Sequence, residues 1–277
     1  YDVLILIVGF GLLIKGADFF VDGSIGVAQR FGIPHLIIGL TIVAMGTSAP
    51  EAAVSLSSAL KGIPDITIGN VVGSNIFNIF IILGFTAMVS PLVIKYGEMK
   101  KQILILVATS ILFGVLGYNG EIGIIEGLAF LLFFALFILH LIKAAKDELP
   151  DEPDTIEEKN VTRSLPKDLI LVLIGLAMVI GGSQLAVDSA TDLALVMGVS
   201  QRFIGLTIVA FGTSLPELAT SIVAAMKGNS DIAIGNIVGS NIFNILFICG
   251  ITAIVTPIPF SQEFLFDSAV ALAAALF

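Results

Sequence analysis

Two hexapeptides carry the chemistry this chain is equipped to do: Gly46-Thr47-Ser48-Ala49-Pro50-Glu51 and Gly212-Thr213-Ser214-Leu215-Pro216-Glu217. Each lies in an apolar stretch long enough to cross a membrane, Ile37 to Leu60 and Phe203 to Met226. An acidic side chain at the centre of a membrane helix costs roughly 2.5–3.5 kcal/mol on insertion scales, and acids found there mark ion pathways. Pro50 and Pro216 lack an N–H, and their rings clash with the carbonyls of Gly46 and Gly212, so both helices are expected to loosen at those points. Freed carbonyls, the hydroxyls of Thr47, Ser48, Thr213 and Ser214, and a carboxylate one turn later make a compact set of hard oxygen donors. On a continuous helix Thr47, Ser48 and Glu51 would share one face. The bland alternative is a polar kink used for helix packing. Packing needs neither a carboxylate nor its repetition.

A second pair of blocks follows, Gly69-Asn70-Val71-Val72-Gly73-Ser74-Asn75-Ile76-Phe77-Asn78 and Gly235-Asn236-Ile237-Val238-Gly239-Ser240-Asn241-Ile242-Phe243-Asn244. Ser74 and Asn78, like Ser240 and Asn244, are four apart, so each pair offers a hydroxyl and an amide on one helix face. The glycines at four-residue spacing are read as close-packing positions. The serines and asparagines are read as ligands, because they follow the glutamate segment in both halves. Asp65 and Asp231 open their segments in the manner of helix N-caps. Two carboxylates with hydroxyls, amides and carbonyls, but no thiol and no imidazole, suit a hard cation such as Ca²⁺ or Na⁺. One Ca²⁺ would neutralise Glu51 and Glu217; several Na⁺, or protons, could replace it. Mutually exclusive occupancy is what coupled exchange requires, so the residues point to a cation antiporter.

The elements that must position these groups are membrane helices. The 277 residues are 57% hydrophobic and 13% charged, with a mean hydropathy of +1.06, which excludes an ordinary soluble chain. Apolar segments run Val3–Val21, Leu36–Leu60, Ile66–Val93, Ile103–Gly117, Ile122–Ile142, Leu169–Val187, Phe203–Met226, Ile232–Ile258 and Phe264–Phe277. An ungapped shift (217 − 51 = 166) lays the first half on the second, bringing Asp22 to Asp188, Lys61 to Lys227 and Pro91 to Pro257. Equivalent segments are an odd number of spans apart, so the second copy enters from the opposite side and the repeat is inverted. Inverted repeats build their site at the bilayer midplane from facing broken helices.

The expected fold is an all-α multi-pass membrane protein of two inverted five-helix repeats, with ten transmembrane helices expected and about nine in this sequence. The first repeat is read as residues 1–143 with its motif region at 39–92. A charged linker spans 144–165, and the second repeat spans 166–277 with its motif region at 205–258, short of a tenth helix. Basic residues favour one side: Arg30, Lys95, Lys100, Lys101, Lys143, Lys146, Lys159, Arg163, Lys167 and Lys227 against Lys61 and Arg202. The amino terminus is therefore expected outside a cell membrane and the linker in the cytoplasm. Much of the formal charge of −9 lies in the acidic run of that linker, which reads as a solvated tether. Cys249 has no partner cysteine and reads as packing.

The paired Gly-Thr-Ser-x-Pro-Glu and Gly-Ser-Asn-Ile-Phe-Asn blocks resemble the two alpha repeats of the calcium/cation antiporter superfamily, especially its prokaryotic sodium/calcium exchanger branch. The resemblance implies ten helices, eight of them a core against which the first and sixth slide for alternating access. It puts Ca²⁺ ligands on Glu51, Glu217 and the backbone carbonyls of Thr47 and Thr213. It draws Ala44, Ser48, Ser74, Ala210, Ser214 and Ser240 into Na⁺ sites, with Asn78 and Asn244 at the central polar positions. Many relatives carry aspartate where Asn244 stands. The departure leaves two carboxylates rather than three, weakens a case for K⁺ co-transport and keeps proton coupling open. The function implied is exchange of Ca²⁺ for Na⁺, with H⁺/Ca²⁺ exchange as the alternative and a Ca²⁺-selective channel as a remote one. The chain is read as a transporter, not an enzyme. Its substrates are inorganic cations, its surroundings a lipid bilayer, and no organic cofactor, nucleic acid or obligatory protein partner is implied.

Overall fold

A computed structural model describes residues 2–93, 96–147, 164–199, 208 and 210–276. Each apolar segment of the sequence is helical there. In chain order these helices are α1 (Asp2–Phe31), α2 (His35–Thr47), α3 (Ala49–Leu60), α4 (Asp65–Val89), α5 (Tyr96–Gly117), α6 (Ile124–Asp147), α7 (Leu165–Val196), α8 (Ala210–Thr213), α9 (Leu215–Met226), α10 (Ser230–Val255) and α11 (Gln262–Leu276). Among the described residues six are long and apolar enough to cross a membrane alone, and α2 with α3 is long and apolar enough as a pair bent by 45°. Most of the linker expected at 144–165 lies outside the described residues. A two-stranded bridge, β1 (Glu121–Ile122) against β2 (Ile258–Pro259), ties the turn after α5 to the turn after α10.

The bends fall where the sequence weakens the helix. Ser48 (φ −81°, ψ 7°) and Ser214 (φ −91°, ψ 4°) leave helical geometry, and Pro50 and Pro216 then sit in the first turns of α3 and α9, where a missing N–H costs nothing. Among the described residues, wider π-turns at Gly39–Val43, Asn78–Ile82 and Asn244–Ile248 interrupt α2, α4 and α10, and the latter two occupy equivalent positions of the repeat. The duplication reaches the turns too. Gly32 and Gly198, then Gly62 and Gly228, adopt the same left-handed conformation (φ 63° to 79°) just past equivalent helix ends. Asp65 and Asp231 are not the N-caps expected of them. The cap positions are Pro64 and Asn229, neither with a side-chain cap bond, and the two aspartates lie in the first turn. A carboxylate there is favoured by the helix dipole rather than by capping.

Helix α10 is the axis of the molecule: 83% of its membrane window is buried, against 22% for α6 and 28% for α1, whose outward faces are left for lipid. Its apolar side enters the main core with Phe113, Phe130, Ile242, Phe243 and Phe260. Gly235 and Gly239 let it approach α2 at backbone distance, as read from their spacing; a Cβ on Gly239 would lie 2.7 Å from Leu40 Cα. Gly69 and Gly73 do not match that reading: both are exposed, with nothing within 4 Å of where a Cβ would stand.

Helices α1 and α7 form a separate antiparallel pair, seamed by glycines seven residues apart. A Cβ on Gly9 would meet Ala186 N at 2.8 Å, one on Gly16 would meet Val179 N at 2.7 Å, and one on Gly182 would meet Gly9 O at 2.7 Å. The pair is fastened to the rest unequally. Lys227, at the end of α9, binds the carboxylates of Asp18 and Asp22 on α1 at 2.5 Å each, and Lys15 pairs with Asp18 while lying over the Phe19 ring. Charges inside an apolar helix are thereby neutralised in pairs. The repeat equivalents Lys61 and Asp188 are both exposed, and among the described residues no ion pair joins them.

The seam makes a direct prediction. Gly182→Val forces side-chain atoms onto the α1 backbone and should destabilise the protein by about 1–3 kcal/mol, as overpacking does. Gly181→Val, one position away with nothing within 4 Å, should melt like the parent. Thermal unfolding of both variants in detergent, read against wild type, checks the contrast.

Candidate functional site

Glu51 and Glu217 lie in the first turns of α3 and α9, 1% exposed each and close enough to repel one another. Both carboxylates therefore sit at the positive end of a helix dipole, which favours an anion at that position. On a continuous helix Thr47 and Ser48 would have faced Glu51. The break at Ser48 turns them instead toward the other repeat. Ser48 Oγ donates to Glu217 Oε1 at 2.7 Å, and Ser214 Oγ donates to Glu51 Oε1 at 3.2 Å. Thr47 joins Ser48 beside Glu217, and Thr213 joins Ser214 beside Glu51. Each glutamate is held by the other's motif.

One carboxylate oxygen of each pair is left over. Glu51 Oε2 and Glu217 Oε2 are buried without a hydrogen-bond partner, and so are Asn78 Oδ1 and Asn244 Oδ1. These four oxygens come from four helices, related two by two through the repeat. All are acceptors, and the desolvation they suffer is compensated by no donor. Such a constellation asks for a cation. A thiol site is excluded by chemistry, and among the described residues no group of three or more His, Cys, Asp or Glu converges, so the negative charge of the site is that of the two glutamates.

Ser74 and Ser240 make contacts beside these groups. Ser214 Oγ also approaches Ser74 Oγ at 3.4 Å, and Ser240 Oγ approaches the carbonyl of Ala44 at 3.5 Å. Thr47 and Thr213 end the half-helices α2 and α8, so their carbonyls lie at the breaks, where intrahelical partners run out. Ala210 opens α8; its side chain is outside what is described.

Sequence reasoning missed the residues that anchor the glutamates from behind. Asn236 Nδ2 donates to the Glu217 carbonyl (3.3 Å) and to Ser221 Oγ (2.9 Å), while its Oδ1 accepts from Thr47 Oγ1 (3.1 Å). Asn70 does the same for the Glu51 carbonyl (3.1 Å) and Ser55 Oγ (3.0 Å). Ser55 and Ser221 stand four residues after each glutamate and recur at the repeat interval, which was the available signal. Asn75 and Asn241 were likewise passed over; they join the two repeats across the site.

The chain matches the family profile described as sodium/calcium exchanger protein over residues 1–143 and 167–277. It is 40% identical over 257 residues to the putative antiporter CaxA of Alkalimonas amylolytica, covering 92% of this chain and 81% of that protein. It is 31% identical over 301 residues to the sodium/calcium exchanger MaX1 of Methanosarcina acetivorans, covering 96% and 86%. Among solved structures, the sodium-calcium exchanger NCX_Mj soaked with Na⁺ and Ca²⁺ superposes with a TM-score of 0.87 at 33% identity, over 99% of this chain and 88% of that one.

The anchoring network predicts an unequal pair of variants. Asn236→Leu leaves the Glu217 carbonyl, Ser221 and Thr47 short of partners in a fully buried place and should cost about 1–3 kcal/mol. Asn70→Leu, at a half-buried position with fewer bonds, should cost less. Melting temperatures of the two purified variants without added Ca²⁺ give the order, and equal losses would contradict it.

Proposed function

The chain belongs to the sodium/calcium exchanger protein family, and on that premise we propose that it is an antiporter exchanging Ca²⁺ for Na⁺ by alternating access. It is a multi-pass membrane protein whose relatives are antiporters and exchangers, with inorganic cations as substrates. The observation that carries the proposal is the set of four buried, unpartnered oxygens of Glu51, Glu217, Asn78 and Asn244. In this reading Ca²⁺ takes one carboxylate oxygen from each repeat, joined by the carbonyls of Thr47 and Thr213, and its two charges cancel those of the glutamates. Na⁺ ions occupy overlapping positions, using Ser48, Ser74, Ser214, Ser240 and the carbonyls of Ala44 and Ala210 beside the same carboxylates. Asn78 and Asn244 complete the centre as neutral oxygen donors.

Shared ligands are what make the exchange obligatory. A site holding Ca²⁺ has no negative charge left for Na⁺, and an empty site leaves two like charges facing each other in a water-poor place. The loaded states are therefore the ones that can be enclosed, and enclosure is the step that separates antiport from leak. The soaks of NCX_Mj with Na⁺ and Ca²⁺ support the same pair of substrates. The distribution of lysines and arginines supports an amino terminus outside and the 144–165 linker in the cytoplasm.

Ca²⁺ uptake into proteoliposomes of the purified protein tests this. An outward Na⁺ gradient should drive uptake, and Glu51→Gln or Glu217→Gln should abolish it while the protein stays monodisperse and helical. Uptake driven solely by an outward proton gradient would move the function to H⁺/Ca²⁺ exchange on the same carboxylates. Ca²⁺ at a hundredfold over its Kd should also stabilise the folded protein by about 2.7 kcal/mol, an effect both glutamine variants should lack. Asn244→Asp adds a third carboxylate and should change the Na⁺, K⁺ or pH dependence of uptake; three unchanged profiles would refute the role given to that position.

A further inference from the structure

The amide of an asparagine is useful to a cation only one way round: its oxygen coordinates, and its NH₂ repels. Something must therefore choose the orientation of Asn78 and Asn244, and the hydrogen bonds identify what does. Asn75 Nδ2 donates to the backbone carbonyl of Asn241 at 3.2 Å. A backbone carbonyl only accepts, so this end of the Asn75 amide is fixed as nitrogen. Its other end is then necessarily oxygen, and it accepts from Asn244 Nδ2 at 3.0 Å. That contact leaves Asn244 Oδ1 turned away, buried and unpartnered. The mirror chain runs from the Asn75 carbonyl, which accepts from Asn241 Nδ2 at 3.3 Å, through Asn241 Oδ1, which accepts from Asn78 Nδ2 at 2.9 Å, to the unpartnered Asn78 Oδ1.

We infer that Asn75 and Asn241 are positioning residues, outside the ligand set, which fix the polarity of Asn244 and Asn78 so that both present oxygen to the transported cation. The inference rests on the proposed function, in that Asn78 and Asn244 are taken as ligands. Each positioning residue acts on the ligand of the opposite repeat, and each is itself oriented by the backbone of the other. Buried to 97% or more, the four amides have no water with which to form an alternative arrangement. Without Asn75, the two faces of the Asn244 amide become equivalent to its surroundings, and the site loses an acceptor whenever the amide turns over.

A carboxylate has two like oxygens and no polarity to fix, which supplies the test. The apparent KM for Ca²⁺ uptake by proteoliposomes is measured for wild type, Asn75→Leu, Asn244→Asp and the double variant. Asn75→Leu should raise KM about tenfold when residue 244 is asparagine, a coupling of the size expected for neighbours in one network. It should not raise KM when residue 244 is aspartate, whose oxygen would face Asn75 Oδ1 with no donor between them. The same factor in both backgrounds would mean that Asn75 acts through stability alone, and the inference would be overturned. The reciprocal set, Asn241→Leu with Asn78→Asp, decides the matter if Asn75→Leu fails to fold. Asn244→Ala separates this from the premise: an unchanged Ca²⁺ KM in that variant would remove residue 244 from the ligands, whereas a raised one combined with equal factors in the cycle would reject the positioning role by itself.

Discussion

Two carboxylates facing each other in the middle of a membrane protein are the constraint from which the rest of the structure follows. Taking one such charge out of water costs several kcal/mol even after relaxation, and a second of the same sign beside it raises the cost further. The chain answers with local and long-range devices. Breaks at Ser48 and Ser214 set Glu51 and Glu217 at helix amino ends. Hydroxyls from the opposite repeat cover one oxygen of each, and buried asparagines hold the backbone behind them. None of these supplies a positive charge. In the proposed function a transported cation completes the arrangement.

The same constraint explains why the molecule is duplicated. Ser48 serves Glu217 and Ser214 serves Glu51, so neither repeat makes half of a working site; each makes half of two. The asparagine bonds cross in the same manner, with Asn75 and Asn241 exchanging backbone contacts on the way. Yet the symmetry is not carried through to the periphery. Lys227 grips Asp18 and Asp22, while Lys61 and Asp188 stand exposed. The difference is written in the sequence: the position equivalent to Asp18 is Gln184, so the second repeat lacks one of the two carboxylates.

How much of this was legible beforehand depended on whether a feature is local. The membrane segments, the duplication and the glutamates follow from composition, periodicity and the expense of a buried acid, all readable along one strand of sequence. Ser48, Ser74, Asn78 and their equivalents could be picked out because the motifs recur. Their partners could not. Spacing on a continuous helix put Thr47 and Ser48 on the face of Glu51, and the break rotated them to Glu217. The roles of Asn75 and Asn241 carried no such signal, since their hydrogen bonds reach across 166 positions. The glycines of the α1–α7 seam carry no local signal beyond a seven-residue interval. Asp65 and Asp231 were misread as caps because a residue opening an apolar run resembles one, whereas Pro64 and Asn229 hold those positions.

The seam between α1 and α7 has a mechanical meaning. Side chains that interlock can slip from one notch to the next, but helices touching at backbone distance through Gly9, Gly16, Gly23, Gly175 and Gly182 have no notches to slip between and no slack to part. They form one antiparallel body that reaches both half-sites: Phe20 of α1 and Leu176 of α7 lie against Gly46, and Val187 of α7 lies against Gly212. Any displacement of this body is therefore felt at both half-sites at once. Under the proposed alternating access, uncovering one mouth of the pathway and sealing the other would be a single stroke, like the two pans of a balance.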